Sequence, residues 1–241
     1  MRIHRFYLNT SISQDIFDIA DKDLVHQWKS VFRYNVGSQV IVFDGFGVDY
    51  LCIITSLRNL GATLQVVSKI KTADPTQRKN IWLCVALIKK DNFELVVQKA
   101  TELGVNNIVP IICEHSEKRK LNMERMQKIA VESSEQSGRG DIPQIHQVIE
   151  LYDILQQNIL PNDKLVLHPI VESGNFQFPI SNFQKKDGPN DIAIFIGPEG
   201  GFSDKEIAVF KSYNMPVVSL GTQILRAETA AIATASLFLL Q

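Results

Sequence analysis

Cysteine is scarce: Cys52, Cys84 and Cys113 are the only three in 241 residues. They form no CxxC pair, and an odd count completes no disulfide set, so a reduced, cytoplasmic setting is expected. Long hydrophobic runs are lacking too. The longest apolar tract, Ala230 to Leu240, is too short to span a bilayer and reads as a buried helix. Arg2, His4 and Arg5 break the first stretch and no apolar run follows, so no secretory leader is expected. Neither charge dominates. Lys and Arg number 25 against 26 Asp and Glu, a net of −1 that argues against a uniformly basic coat for nucleic acid. Repeats and low-complexity tracts are absent. So are a Walker loop, a GxGxxG fingerprint and a GxSxG elbow, which argues against a covalent hydrolase. The histidines (His4, His26, His115, His146 and His168) include no pair at zinc spacing, and no metal site is expected.

What remains is a chain of 27.2 kDa with 45% hydrophobic and 21% charged residues, the composition of an ordinary globular protein. Its length suits one large domain, or a small one followed by a medium one. Charge is unevenly spread. Residues 1–80 carry ten Lys and Arg against seven Asp and Glu, whereas residues 141–241 carry six against eleven. A polyanion would meet the N-terminal half first, although the counts alone favour ordinary surface scatter.

The polar segment Lys71–Asn80 has no apolar period, contains Pro75 and reads as a linker. Before it, Val40–Phe43, Tyr50–Thr55 and Thr63–Val67 are short β-branched runs, with a turn at Asp44-Gly45-Phe46-Gly47. A helix is predicted over Lys22–Phe32, and the whole suggests a small barrel or sandwich. After the linker, strands and helices alternate. Ile81–Ile88, Ile108–Ile112, Lys164–Leu167, Ile192–Ile196 and Val217–Leu220 read as buried strands. A helix capped by an Asp91–Glu94 box is expected to end at Gly104, and others are predicted over Asn122–Ser137, from Ser203 to Tyr213, and over Glu228–Leu240. The pattern is α/β with a parallel sheet.

Ligands of such sheets bind at the carboxyl ends of the strands. Two of these ends are marked by glycine: Ile196-Gly197-Pro198-Glu199-Gly200-Gly201-Phe202, and Ser219-Leu220-Gly221 running into Ile224-Leu225-Arg226. Glycine lets backbone approach a ligand closely, and Glu199 would repel a pyrophosphate, so a ligand with hydroxyls, amines or positive charge suits the first loop. Each loop by itself is equally consistent with a tight strand–helix turn. By residue type alone, Arg226 beside Glu228 favours a surface ion pair over a catalyst.

These segments, with Arg2-Ile3-His4-Arg5-Phe6, Phe43-Asp44-Gly45, Gln98-Lys99-Ala100-Thr101-Glu102-Leu103-Gly104-Val105, Glu135-Gln136-Ser137-Gly138-Arg139, Ile142-Pro143 and Ile224-Leu225-Arg226-Ala227-Glu228-Thr229-Ala230, resemble the RsmE family over most of the chain. Its members are bacterial small-subunit (16S) ribosomal RNA uridine N3-methyltransferases of the SPOUT superfamily. The resemblance implies an α/β fold: a SPOUT-like parallel sheet with a C-terminal trefoil knot over residues 72–241, preceded by a small PUA-like RNA-binding β-barrel over residues 1–71. It implies S-adenosylmethionine as cofactor, held by Leu167, His168, Ile196, Gly197, Pro198, Glu199, Gly200, Gly201, Leu220, Gly221, Ile224, Leu225, Thr229 and Ala230, with Arg226 catalytic. It further implies small-subunit ribosomal RNA, free or in the assembled subunit, as partner, and a homodimer away from membranes. The small residues Ala227, Ala230, Ala231, Ala233 and Ala235 would allow close helix packing there. Arg5, Lys29, Arg33, Lys89, Lys90 and Arg139 are the candidate RNA contacts, by charge and motif position. The chain departs from the family pattern at His115, where arginine is usual, at Asn92, where a basic residue is common, and around His26-Gln27-Trp28. Two rivals stand beside this reading. A non-catalytic ribosomal RNA-binding factor on the same fold would have a broken cofactor loop, and a nucleotide-dependent oxidoreductase would have GxGxxG after the first buried strand.

Overall fold

The change of rhythm along the chain is realised as two units. The computed structural model describes residues 3–72, 79–117, 120–169 and 191–240. Arg2 and most of the expected linker (73–78) lie outside the described residues. Residues 1–75 with 134–141 form one unit, and 76–133 with 142–241 form the other.

The first unit contains β1 (Arg5–Tyr7), β2 (Ile16–Ile19), α1 (Lys22–Ser30), β3 (Gln39–Phe43), β4 (Val48–Leu57) and β5 (Ala62–Lys71). They form a sheet in the order β1-β3-β4-β5-β2, with β1 parallel to β3 and every other pair antiparallel. Asp21 starts α1 by accepting the amides of Asp23 and Leu24. The helix buries Val25 and Trp28, and Phe6 meets Trp28 edge-on. It stops short of Phe32 because the chain reverses at Arg33, whose φ is 55. At the predicted turn, Asp44 accepts the amides of Phe46 and Ile12. β5 continues past Val67 to Lys71 because β4 stays beside it as far as Val48. β1 and β2 have too few residues for a period-two pattern to register.

Arg5 joins the segment 134–141 to this unit. Its guanidinium forms a two-pronged pair with Asp49, at 2.8 and 2.6 Å. It also donates to the carbonyls of Ser134, Glu135 and Arg139, and lies 4.4 Å from the centre of the Phe43 ring. Its side chain is only 10% exposed. Arg139 is likewise buried and pairs with Asp141 at 2.7 Å. Next to it, a Cβ on Gly140 would collide with the Thr72 side chain. Both arginines were expected on RNA. Their burial and internal bonds make them structural instead.

The second unit contains β6 (Ile81–Ala86), α2 (Lys90–Leu103), β7 (Asn107–Ile112), most of α3 (Met123–Ser137), β8 (Gln144–Ile145), β9 (Ile149–Glu150), α4 (Leu151–Gln156), β10 (Asp163–Leu167), β11 (Ile192–Ile196), α5 (Asp204–Ser212), β12 (Val217–Val218) and α6 (Ala227–Leu239). The sheet order is β12-β10-β11-β6-β7-β8, with β9 also on β7, and the pairs are parallel. This is an α/β fold. One face of the sheet packs against α2 and α6, the other against α4 and α5. Coverage on both faces explains the unbroken apolar runs of β6 and β11.

Local signals were met unevenly. Ser203 and Glu206 form the predicted capping box, and Gly104 ends α2 at φ 103. The Asp91–Glu94 box does not form. α2 begins earlier, after Lys89, and Glu94 instead pairs with Lys90 and with Arg125 of α3. The small face of α6 is already used within the chain, since Ala227, Ala231 and Ala235 are buried in the core cluster shared with α2. The three cysteines are free and buried; burial pushes the Cys52 thiol up to about 12 and raises Cys84 and Cys113 as well. Among the described residues, no helix is long and apolar enough to cross a membrane.

Removing one member of a buried ion pair leaves the other charge stranded. Arg5→Ala should therefore lower unfolding stability by about 3–5 kcal/mol in denaturant titrations. Arg5→Lys should recover only part of it, because an ammonium cannot reproduce the fork. An Ala variant of wild-type stability would refute this role.

Candidate functional site

The site rests on strand register. Leu167, the last residue of β10, pairs with Ile196, the last of β11, and with Val218, the last of β12. Three chain segments therefore leave the sheet at one level, side by side. His168-Pro169 follows β10, the glycine loop 197–201 follows β11, and Ser219 to Arg226 follows β12. They enclose a concave cleft that opens to solvent.

The glycine loop is built for tight packing. The amide of Gly201 donates to the Pro198 carbonyl at 2.8 Å, closing a turn, and Gly201 sits at φ 72, where a side chain would be strained. A Cβ on Gly197 would lie 3.1 Å from the Phe202 ring. Phe202 is itself buried against Phe210 at 4.9 Å between ring centres. Glu199 accepts the Lys89 amide at 3.3 Å, at the start of α2. In the neighbouring segment, Ser219 Oγ donates to the Gly221 carbonyl at 2.7 Å and accepts its amide at 3.3 Å, fixing the bend after β12.

Of the residues expected to hold the cofactor, Leu167, His168, Ile196, Gly197, Pro198, Glu199, Gly201, Leu220, Ile224, Leu225 and Ala230 line the cleft, as does Arg226. Gly200, Gly221 and Thr229 do not appear in its lining. Phe202, Ser219 and Gln223, which belong to the two glycine-marked segments, also line it, as do Val218 and Ala227, which the sequence did not assign to the site. Their proximity follows from strand ends meeting, which residue type does not reveal. Ile224 is 82% exposed and Leu225 38% exposed, an apolar pair left to water at the cleft.

Arg226 is exposed at the N-cap of α6 and makes no ion pair with Glu228. Glu228 is buried, and its Oε2 has no hydrogen-bond partner. The surface pair suggested by residue type is thus not formed, and the Arg226 guanidinium stays available to the cleft. Of the remaining basic candidates, Lys29 and Arg33 flank a polar hollow in the first unit with Tyr34 and Asn35, and Lys29 donates to Asn59. Lys89 and Lys90 are exposed at the start of α2 in the second unit. Among the described residues, no cluster of His, Cys, Asp or Glu is placed to hold a metal ion.

Burial holds His168 below the ordinary imidazole value, with Asp204 opposing the shift, and its Nδ1 is buried without a partner. A base with a lowered pKa resists protonation, so the cleft presents a neutral ring at pH 7 and acquires a positive charge only in more acid solution. An NMR titration of the ring protons should place His168 below 6.5. A midpoint at or above that value would contradict the desolvated setting.

Residues 75–239 match the family model of the RNA methyltransferase domain. The ribosomal RNA small subunit methyltransferase E of Rickettsia conorii is 33% identical over 96% of this chain and 93% of its own length. Two crystal structures are similar throughout. The Neisseria gonorrhoeae ribosomal RNA small subunit methyltransferase E bound to S-adenosyl methionine has a TM-score of 0.84 at 27% identity, covering 98% of this chain and 96% of that one. A Legionella pneumophila protein in complex with the bound cofactor SAM has a TM-score of 0.85 at 28% identity, covering 99% and 97%. With the three-loop cleft at the strand ends, these likenesses establish that the chain belongs to the ribosomal RNA small subunit methyltransferase E family.

Proposed function

We propose that this chain transfers the methyl group of S-adenosylmethionine to N3 of a uridine in small-subunit ribosomal RNA. The observation that carries the reading is the convergence, at one register level, of the three segments on a cleft with Arg226 at its edge. The lining suits the cofactor. Ile196, Leu220, Ile224 and Leu225 offer apolar surface to a flat base, strand-end backbone offers hydrogen bonds, and Glu199 offers a carboxylate to hydroxyls or a cation. Apolar side chains left exposed beside the cleft also suit a site completed by a bound molecule.

When bound, S-adenosylmethionine supplies an electrophilic methyl on a sulfonium. The protein must bring a nucleophile to it. Uracil N3 carries a weakly acidic proton, and its lone pair is nucleophilic only once that proton has left. Arg226 would hold the uracil and stabilise the negative charge that develops on its carbonyl oxygens. The proton passes to solvent. The Gly197–Gly201 loop and the Ser219–Leu225 segment hold the reactants in line, a positioning effect.

The same reading takes residues 1–71 as a PUA-like RNA-binding barrel and 72–241 as a SPOUT methyltransferase domain with a C-terminal trefoil knot. β12 follows β11 in sequence yet lies beside β10, a crossover that such a knot would include. Lys29, Arg33, Lys89 and Lys90 would meet RNA phosphates, the last two at a helix start where the peptide dipoles favour an anion. The protein would act in the cytoplasm as a homodimer, and the exposed Leu237 and Leu240 of the α6 end offer apolar surface for a second copy.

Arg226→Ala should lower single-turnover methylation about 100- to 1,000-fold while calorimetric S-adenosylmethionine affinity changes little. Near-normal turnover would reject the role. Mass mapping of small-subunit ribosomal RNA from cells with and without the protein should differ by one methyl on one uridine; identical maps would reject the substrate.

A further inference from the structure

The glycine loop does not stand alone. After β7 the chain makes a tight turn, in which the Cys113 amide donates to Ser116 Oγ and the Ser116 amide to the Cys113 carbonyl, each at 3.0 Å. Two bonds tie this turn to the segment after β11. Buried Glu206 accepts the Ser203 amide on one oxygen at 2.8 Å and the Glu114 amide on the other at 2.9 Å. One carboxylate thus caps α5 and holds the turn. The ring of His115 then reaches the loop itself, with Nδ1 3.1 Å from the Gly201 carbonyl. A carbonyl only accepts, so Nδ1 carries the proton in this contact.

Packing marks the same place. A Cβ on Gly200 would lie 3.1 Å from the Cβ of His115. Gly200 does not line the cleft. Its missing side chain is therefore explained by the approach of His115, not by the approach of a ligand. Gly201, on the other hand, faces the cleft and has His168 across from it, at 3.8 Å from where its Cβ would be. The carbonyl that His115 holds belongs to a residue of the cleft wall.

We infer that His115 is a positioning residue of the methyl-donor site: through Nδ1 it fixes the Gly201-Phe202 peptide, at the end of the glycine loop, in the geometry that receives the cofactor. The inference rests on the reading that this loop binds S-adenosylmethionine. His115 does not line the cleft. Its effect should appear in donor binding and not in the chemical step.

The chemistry of the side chain provides the test. His115→Ala keeps the Cβ that packs on Gly200 and removes only the ring. His115→Asn puts an amide nitrogen one bond from Cγ, where Nδ1 stands, and can donate to the same carbonyl. Affinity for S-adenosylmethionine is measured by calorimetry on the full chain, with KM for the donor, kcat and the thermal midpoint measured alongside. A neutral hydrogen bond is worth about a five-fold change in an equilibrium. His115→Ala should raise Kd and donor KM by about that factor, with kcat within about two-fold and the thermal midpoint nearly unchanged; His115→Asn should restore most of the affinity. Wild-type affinity in the Ala variant overturns the inference, as does an Asn variant no better than Ala or a loss confined to kcat. A wild-type chain that does not bind the donor at all overturns the underlying reading of the loop instead.

Discussion

Every functional feature of this chain depends on the parallel pairing of β10 with β11 and β12. Parallel strands point the same way, so the loops that follow them leave the sheet on one edge. Here the register is also matched, because Leu167 sits opposite both Ile196 and Val218. A slip of one residue would turn every buried side chain of a strand to the opposite face of the sheet. The apolar packing of both faces is therefore what keeps the three segments level, and the cleft is a consequence of the core.

Once the segments are level, their polar groups are held by short internal bonds. Ser219 closes the bend at Gly221, Pro198 and Gly201 close the turn of the glycine loop, and Glu206 serves two amides at once. Few side-chain charges remain turned to the cleft. Glu199 and Arg226 line it with opposite signs and without a mutual ion pair, and burial keeps His168 neutral. A wall of this kind binds chiefly by shape and backbone, leaving charge to act where it develops in the reaction. That division fits membership of a methyltransferase family whose relatives have been crystallised with S-adenosylmethionine.

Legibility in the sequence tracked the range of the interaction. The Ser203–Glu206 box and the Gly104 stop were readable because their partners are a few residues away. The Asp91–Glu94 box had the same signature and does not form: α2 starts at Lys90, which puts Asp91 inside its first turn, and Arg125, thirty-one residues on, bonds the Glu94 carboxylate. Arg5 and Arg139 looked like RNA contacts because charge in a sequence reads as surface. The partners of Arg5, Asp49 and carbonyls 129 to 134 positions away, become visible only in three dimensions, as does the burial of Arg139 beside Asp141. Likewise Gly200 could be marked as special from its type, but not as special for His115 rather than for a ligand.

By itself, then, the sequence determined the α/β class, the buried strands, the glycine loops and the family, since periodicity and local motifs are written in neighbouring residues. The tertiary structure alone decided which glycines face the cleft, which arginines are turned inward and what supports the loop from behind. Those outcomes depend on contacts between segments far apart in the chain, and a side chain's identity does not state which partner the fold will bring to it.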